Sequence, residues 1–313
     1  MEYLKLIVGL AVLVYSGHLL VKGGVSLSRH FKVSTAVIGV TVISFGTSAP
    51  ELIVSLQAAA QGYPAIAVGN VIGSNISNIA LVLAFTAIIF PVVVSRNSAV
   101  FDWPFMMVAS ILFYLFLMDM KIATIEGIML FMLLLVYIVW SVLSSRKSMK
   151  REQTEIIPPT IRLFPSILIV LAAGAGLAFG SNWLVDGAAT IAENLGVSER
   201  TISITLIAFG TSVPELATSA IAAFKKEADI SIGNIIGSNI FNILAVIGIT
   251  ATITPISIQD SLILSFDTLW MIGISILLFI FMLPLKYSKI GRLKGGLFLL
   301  VYVYYIFQVF ATG

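Results

Sequence analysis

The sequence predicts an all-α membrane protein of ten transmembrane helices, arranged as two inverted five-helix repeats with discontinuous helices at the membrane midplane. Composition, the length of the apolar runs and an internal repeat predict it. Of the 313 residues, 59% are apolar and only 11% charged, against roughly 25% charged in an ordinary soluble domain, and the mean hydropathy is +1.07. Several runs of about 20 apolar residues match a bilayer core of about 30 Å. They are too long and too uniformly apolar for the alternating segments of an outer-membrane barrel, which leaves helices to satisfy every backbone group in lipid. The chain has no cysteine, which excludes disulfides, thiolate metal sites and cysteine nucleophiles. A net charge of +3 gives no support to nucleic-acid binding, because position matters more than the total.

Ten candidate spans follow at 3–21, 35–61, 65–90, 99–118, 122–143, 163–185, 200–224, 229–254, 262–285 and 292–311. Lys5 ahead of the first run imitates a signal peptide, yet no small-residue cleavage site follows. The second and seventh spans carry Gly and Pro interruptions, and the third and eighth are rich in Gly, Ser and Asn. The fourth and ninth open near Asp102 and Asp267, which read as interfacial caps. The methionines of the fourth read as packing, and Trp103, Trp140, Trp183 and Trp270 near span ends as interfacial anchors. The fifth leads into the basic linker from Arg146 to Arg162. Fifteen of the 18 basic residues fall on the side of that linker, and only Lys5, Lys121 and Arg200 on the other. Lys and Arg are retained in the cytoplasm, so both termini are placed outside the cell membrane. The chain divides into a first repeat at 1–143, a cytoplasmic linker at 144–162 and a second repeat at 163–313.

A shift of 164 residues lays the second half on the first without gaps from Gly17 to Pro91. Thr41 to Ser55 matches Thr205 to Ser219 at 10 of 15 positions, and Ile66 to Ile79 matches Ile230 to Ile243 at 10 of 14. Shared hydrophobicity would match Leu, Ile and Val; the matched residues here include Gly, Thr, Ser, Pro, Glu and Asn. Five spans per half is an odd number, so the second half enters the membrane from the opposite side. Inverted repeats of this kind build secondary transporters, with the site at the midplane where broken helices meet.

Gly46-Thr47-Ser48-Ala49-Pro50-Glu51 recurs as Gly210-Thr211-Ser212-Val213-Pro214-Glu215. It reads as a helix break: Gly and Pro interrupt the span, Thr or Ser caps the new half-helix, and Pro takes its first turn. Upstream, the carbonyls of Ser44, Phe45 and Gly46, and of Ala208, Phe209 and Gly210, are expected to lose their partners and become oxygen ligands suited to hard cations. Glu51 and Glu215 are the most informative residues, because an ionisable group at bilayer depth is expensive and functional by default. A buried salt bridge is the competing reading, opposed by the placement of all 18 basic residues in loops or at helix ends. A permanently protonated glutamate is another, and protonation during part of a cycle stays open.

The second motif, Gly69-Asn70-Val71-Ile72-Gly73-Ser74-Asn75-Ile76-Ser77-Asn78, recurs from Gly233 to Asn242. Ser74 and Asn78 lie four apart on one helix face, as do Ser238 and Asn242. These four are read as neutral oxygen ligands, whereas the glycines, Asn70 and Asn234 are read as helix-to-helix glue. An all-oxygen set without His, Cys or Met suits Ca²⁺, Mg²⁺ or Na⁺ rather than zinc or copper. One Ca²⁺ would neutralise two carboxylates, and Na⁺ ions competing for the same oxygens would make an exchange mechanism.

At these motifs the sequence resembles the cation/calcium exchanger superfamily, and most of all its sodium/calcium exchanger branch in prokaryotic form. The two GTS-x-PE and two GN-x-x-GSN-x-x-N segments look like that family's alpha-repeats. By resemblance, Thr47, Ser48, Glu51, Ser74 and Asn78, with Thr211, Ser212, Glu215, Ser238 and Asn242, match the ion ligands. The carbonyls of Ser44 and Ala208 match backbone ligands. The resemblance implies Na⁺/Ca²⁺ antiport by alternating access, the first and sixth spans sliding against the rest. Potassium-dependent relatives carry Asp where this chain has Asn242, proton-coupled ones a GNA-x-E motif absent here, and the short linker leaves no room for a regulatory calcium-binding loop. A Ca²⁺/H⁺ or K⁺-dependent antiporter is the alternative. A channel fits symmetric occluding repeats less well, and two distant histidines leave an enzyme without a catalytic constellation. The expected cargo is Ca²⁺ and Na⁺, with no organic cofactor, no partner beyond inorganic cations and lipid, and function as a monomer.

Overall fold

The structure, a computed structural model, describes residues 1–151, 158–195, 210–284 and 288–312. Its helices are α1 (Glu2–Phe31), α2 (Thr35–Thr47), α3 (Ala49–Ala60), α4 (Pro64–Ile89), α5 (Ser98–Leu117), α6 (Thr124–Arg151), α7 (Leu163–Asn194), α8 (Val213–Phe224), α9 (Ala228–Ile253), α10 (Ile263–Met282) and α11 (Arg292–Ala311). Among the described residues, eight are long and apolar enough to cross a membrane, or nine when α2 and α3, bent by 45° at Ser48, count as one span. The predicted seventh span at 200–224 is seen only in its second part, α8, because 196–209 lie outside the described residues.

Three helices outrun their predicted ends. Hydropathy marks where lipid stops, whereas a helix stops where its last carbonyls find a cap. The predicted first span ends at 21, but α1 continues to Phe31, where Lys32 turns left-handed and sends its amide back to Ser28 and Arg29. Lys22 and Arg29 therefore ride on helix rather than loop. Likewise α6 carries eight linker residues, 144–151, and α7 continues to Asn194. The described residues also hold four two-residue strands where none is expected. Val92–Val93 pairs with Lys289–Ile290, and Lys121–Ile122 with Ile256–Ser257, each joining a loop of one half to a loop of the other. There the loop backbone finds hydrogen-bond partners across the two halves.

Burial sorts the helices into a centre and a periphery. The most apolar stretch of α9 is 94% buried and that of α4 78%, against 33% for α1 and 28% for α7. Two helices surrounded by protein can carry polar side chains that lipid would reject, which is why the Gly, Ser and Asn motifs sit on α4 and α9. Both helices widen to a π-helical turn where the motif ends, at Asn78–Leu83 and Asn242–Ile247. One apolar core joins α4, α9, α5, α6, α10 and α11; a second, smaller one joins α1, α7 and α2, with Val213, Ala222 and Ile230 of α8 and α9. The α1 and α7 pair is close: a Cβ at Gly9 would lie 2.6 Å from the Leu184 amide nitrogen, and one at Gly180 2.9 Å from that of Leu13.

Candidate cation site

The bend between α2 and α3 places Pro50 and Glu51 in the first turn of α3, and Val213, Pro214 and Glu215 open α8 in the same way. Each carboxylate therefore sits at the positive end of a helix dipole, which favours the anion. Both glutamates are 0% exposed. Glu215 Oε1 accepts the Ser48 hydroxyl at 3.3 Å, whereas Glu215 Oε2 and both oxygens of Glu51 have no hydrogen-bond partner among the described residues. The ion pairs among the described residues join Met1 to Glu2 and Lys5 to Asp186, so neither glutamate meets a cation there.

The hydroxyls around them behave differently from the expected caps. Ser48 and Ser212 occupy the N-cap positions of α3 and α8 but make no capping hydrogen bond. Ser48 instead reaches Glu215, and Ser212 lies 2.5 Å from the hydroxyl of Ser77, which also donates to the Ser74 carbonyl at 3.1 Å. Thr47 lies 3.3 Å from Ser238 and donates to Asn234 Oδ1 at 3.1 Å. The first break is thus knitted to the second half and the second break to the first.

The Ser44 carbonyl, expected to be free, is not. It accepts the Ser48 amide at 2.9 Å, with the Thr47 hydroxyl 3.2 Å away, because a 45° bend keeps that helical bond intact. Gly46, four residues before Pro50, is where proline's missing N–H leaves the carbonyl without its amide. Its counterpart, the Gly210 carbonyl, is taken by Ser181 Oγ at 2.6 Å. Ala208 lies outside the described residues. Thr211 is half-buried in the turn before α8.

On α4 and α9, Ser74, Asn78, Ser238 and Asn242 are all buried. Ser74 Oγ and the Oδ1 atoms of Asn78 and Asn242 have no hydrogen-bond partner among the described residues. Asn70 and Asn234 act as ties: Asn70 donates to Ser55 at 3.1 Å and to the Glu51 carbonyl at 3.3 Å, and Asn234 donates to Ser219 at 3.0 Å. Sequence reasoning missed Ser55, Ser219, Ser77, Asn75 and Asn239. Four of the five belong to pairs identical across the repeat, which was the available signal; Ser77 faces Phe241 in the alignment and left none.

Carboxylates, hydroxyls and amide oxygens, several without partners, are gathered in a bundle of membrane-spanning helices with nothing but oxygen to offer. That is the composition of a site for hard cations, in a membrane transporter rather than an enzyme. The model of the sodium/calcium exchanger protein family matches residues 2–143 and 165–311, and the chain belongs to that family. The chain is 38% identical to CaxA of Alkalimonas amylolytica over 98% of each chain. It is 28% identical to the sodium/calcium exchanger MaX1 of Methanosarcina acetivorans, over 99% of this chain and 98% of MaX1. A solved structure of the sodium-calcium exchanger NCX_Mj, soaked with Na⁺ and Sr²⁺, superposes with a TM-score of 0.82 at 34% identity over 97% of each chain.

Proposed function

We propose that this protein exchanges Na⁺ for Ca²⁺ across the cell membrane by alternating access, with Glu51 and Glu215 shared between the two ions. The observation that carries the reading is the pair of fully buried glutamates with three of four oxygens unpartnered and no cationic residue paired with them among the described residues. A carboxylate so placed is stable as an anion only when a cation neutralises it. One Ca²⁺ would balance both charges. Sodium ions would enter the same shell through Thr47, Ser48, Ser74, Asn78 and their counterparts Thr211, Ser212, Ser238 and Asn242, with the Ala208 carbonyl at its edge. Because both cargoes need the glutamates, loading one displaces the other.

The chain is read as ten spans in two inverted halves, 1–143 and 163–313, with both termini outside and the linker in the cytoplasm. Matching hydrogen bonds support the repeat: Asn70 to Ser55 and Asn234 to Ser219 stand at the same offset. The close backbone approach of α1 and α7 at Gly9 and Gly180 supports their moving as one pair. NCX_Mj, studied for extracellular ion exchange and binding-site occlusion, supports the same scheme.

The test is ⁴⁵Ca²⁺ uptake into proteoliposomes loaded with Na⁺ and diluted into Na⁺-free buffer, with K⁺ and pH gradients varied independently. Uptake is expected to require internal Na⁺, to need no K⁺ and to accelerate with an inside-positive potential. Uptake that follows only the pH gradient would make the protein a Ca²⁺/H⁺ antiporter and both glutamates proton carriers.

A further inference from the structure

Between α4 and α9, where the helices are most deeply buried, four asparagines form a closed lattice. Asn75 Nδ2 donates to the Asn239 backbone carbonyl at 3.4 Å and Asn239 Nδ2 to the Asn75 carbonyl at 3.2 Å. Asn78 Nδ2 donates to Asn239 Oδ1 at 3.0 Å, and Asn242 Nδ2 to Asn75 Oδ1 at 3.0 Å. All four are at most 1% exposed.

The lattice fixes which way each amide points. A carbonyl oxygen only accepts, so the end of Asn75 that faces the Asn239 carbonyl must be its NH₂, and that of Asn239 likewise. The Met271 thioether, also an acceptor, meets the same Asn75 nitrogen at 3.5 Å. The oxygen ends of Asn75 and Asn239 are thereby turned to receive Asn242 and Asn78. Those two residues must then present their own NH₂ groups to the lattice, which leaves Oδ1 of Asn78 and Oδ1 of Asn242 as buried oxygens without a partner. A flipped amide at either position would offer a cation an NH₂ group and place two oxygens against each other.

We infer that Asn75 and Asn239 are positioning residues that hold the Asn242 and Asn78 amides oxygen-first toward the transported cation, each acting on the ligand of the opposite half. The inference rests on the reading of Asn78 and Asn242 as ligands. It deepens that reading by making the two halves of the site one unit: the amide of each half is aimed by the other. Groups that orient a metal ligand typically govern affinity 10- to 100-fold when removed.

The experiment compares Ca²⁺ KM and maximal rate of Na⁺-driven uptake in proteoliposomes for Asn75→Ala, Asn239→Ala, Asn78→Ala, Asn242→Ala and the crossed doubles. Asn75→Ala is expected to raise the Ca²⁺ KM about 10-fold or more with a smaller change in maximal rate. Adding Asn242→Ala to it should cost little more, because the ligand it aims is already gone, whereas adding Asn78→Ala should multiply the defect. Asn239→Ala should show the mirror pattern. A carboxylate has no wrong way round, so Asn242→Asp in the Asn75→Ala background should recover most of the lost affinity; a merely structural role for Asn75 would not be rescued this way. An unchanged KM in Asn75→Ala and Asn239→Ala, coupling within a half instead of across halves, or no rescue by Asn242→Asp would overturn the assignment. Glu51→Gln, run beside them, separates the two failures: if it leaves exchange intact the ion-site reading falls, and if it abolishes exchange while the asparagine pattern is absent only the positioning role falls.

Discussion

The turns at Glu51 and Glu215 are nearly one sequence in two different settings. Glu215 has one oxygen on the Ser48 hydroxyl, and the Gly210 carbonyl in the same turn is capped by Ser181 of α7. Glu51 has neither oxygen bonded, and the position of α1 that corresponds to Ser181 is Gly17, with no side chain to give. The shared motifs determine which polar groups each half brings to the centre; where the repeat diverges, at Gly17 and Ser181, determines how those groups are held. Movement of α1 and α7 together would break a hydrogen bond at Gly210 and none at Gly46, so the two ends of the site open against unequal resistance.

The largest test of that comparison asks whether the unequal glutamates are equally necessary. Glu51→Gln and Glu215→Gln should each lower Na⁺-driven Ca²⁺ uptake at least about 100-fold, and the double variant should be no worse than either single, as for groups that act as a unit. A double variant whose defect multiplied the two singles would mean two independent sites, one per half.

Next in size is the seam where the first break rests on the second half. Ser44 Oγ donates to the Gly39 carbonyl at 2.7 Å and lies 3.1 Å from the Asn234 carbonyl, and a Cβ at Gly237 would meet that hydroxyl and lie 2.5 Å from the Cα of Val40. Backbone cannot give way as a flexible side chain can. Gly237→Ala should destabilise the protein by about 1–3 kcal/mol or more through overpacking, seen as a lower midpoint of thermal unfolding in detergent. An unchanged midpoint would show that α2 and α9 separate easily and that the seam does not couple the halves.

A smaller effect separates the two N-cap serines. Ser48→Ala removes a hydrogen bond to a carboxylate, worth about 1.5–3 kcal/mol; Ser212→Ala removes one hydroxyl pair, worth about 0.5–1.5 kcal/mol. The midpoint of thermal unfolding without added Ca²⁺ should therefore fall further in Ser48→Ala. Equal shifts would mean that the Glu215 carboxylate finds another donor or water once the Ser48 hydroxyl is gone.

Much of this was legible in the sequence because the signals were chemical misfits. Glu51 and Glu215 stand out as carboxylates in apolar runs, and the Asn and Ser motifs as polar residues that only a protein-lined centre tolerates. The rest depends on partners that sequence distance hides. Asn75 and Asn78 look alike on one helix, and only the opposite helix shows that one turns inward to the lattice while the other keeps an oxygen free. The Ser44 carbonyl was read as free because Gly and Pro signal a break, but a bend frees only the carbonyls whose amide is missing. The N-cap serines were read locally, yet a carboxylate or a second hydroxyl across the midplane is a stronger or closer partner than a local amide. The interface reading of Trp103 also missed its partner, since the indole donates to the Ser275 carbonyl at 2.7 Å in the other half.

The smallest test falls on a pair of aspartates that the sequence suggested were interfacial caps. Asp102 and Asp267 close π-helical turns at the starts of α5 and α10 but cap nothing with their side chains. Each accepts a tyrosine hydroxyl at 2.9 Å, Tyr137 for Asp102 and Tyr305 for Asp267. The geometry is the same and the burial is not: Asp102 is 2% exposed, whereas Asp267 is half-buried. Removing a donor from a buried acceptor leaves its desolvation uncompensated, about 1–3 kcal/mol, whereas water replaces the donor at a more open one. Tyr137→Phe should therefore lower the unfolding midpoint clearly and Tyr305→Phe only slightly, with Ca²⁺ affinity unchanged in both. Equal shifts would show that water reaches Asp102 as readily as Asp267, and a loss of affinity in either variant would bring these tyrosines into the cation path.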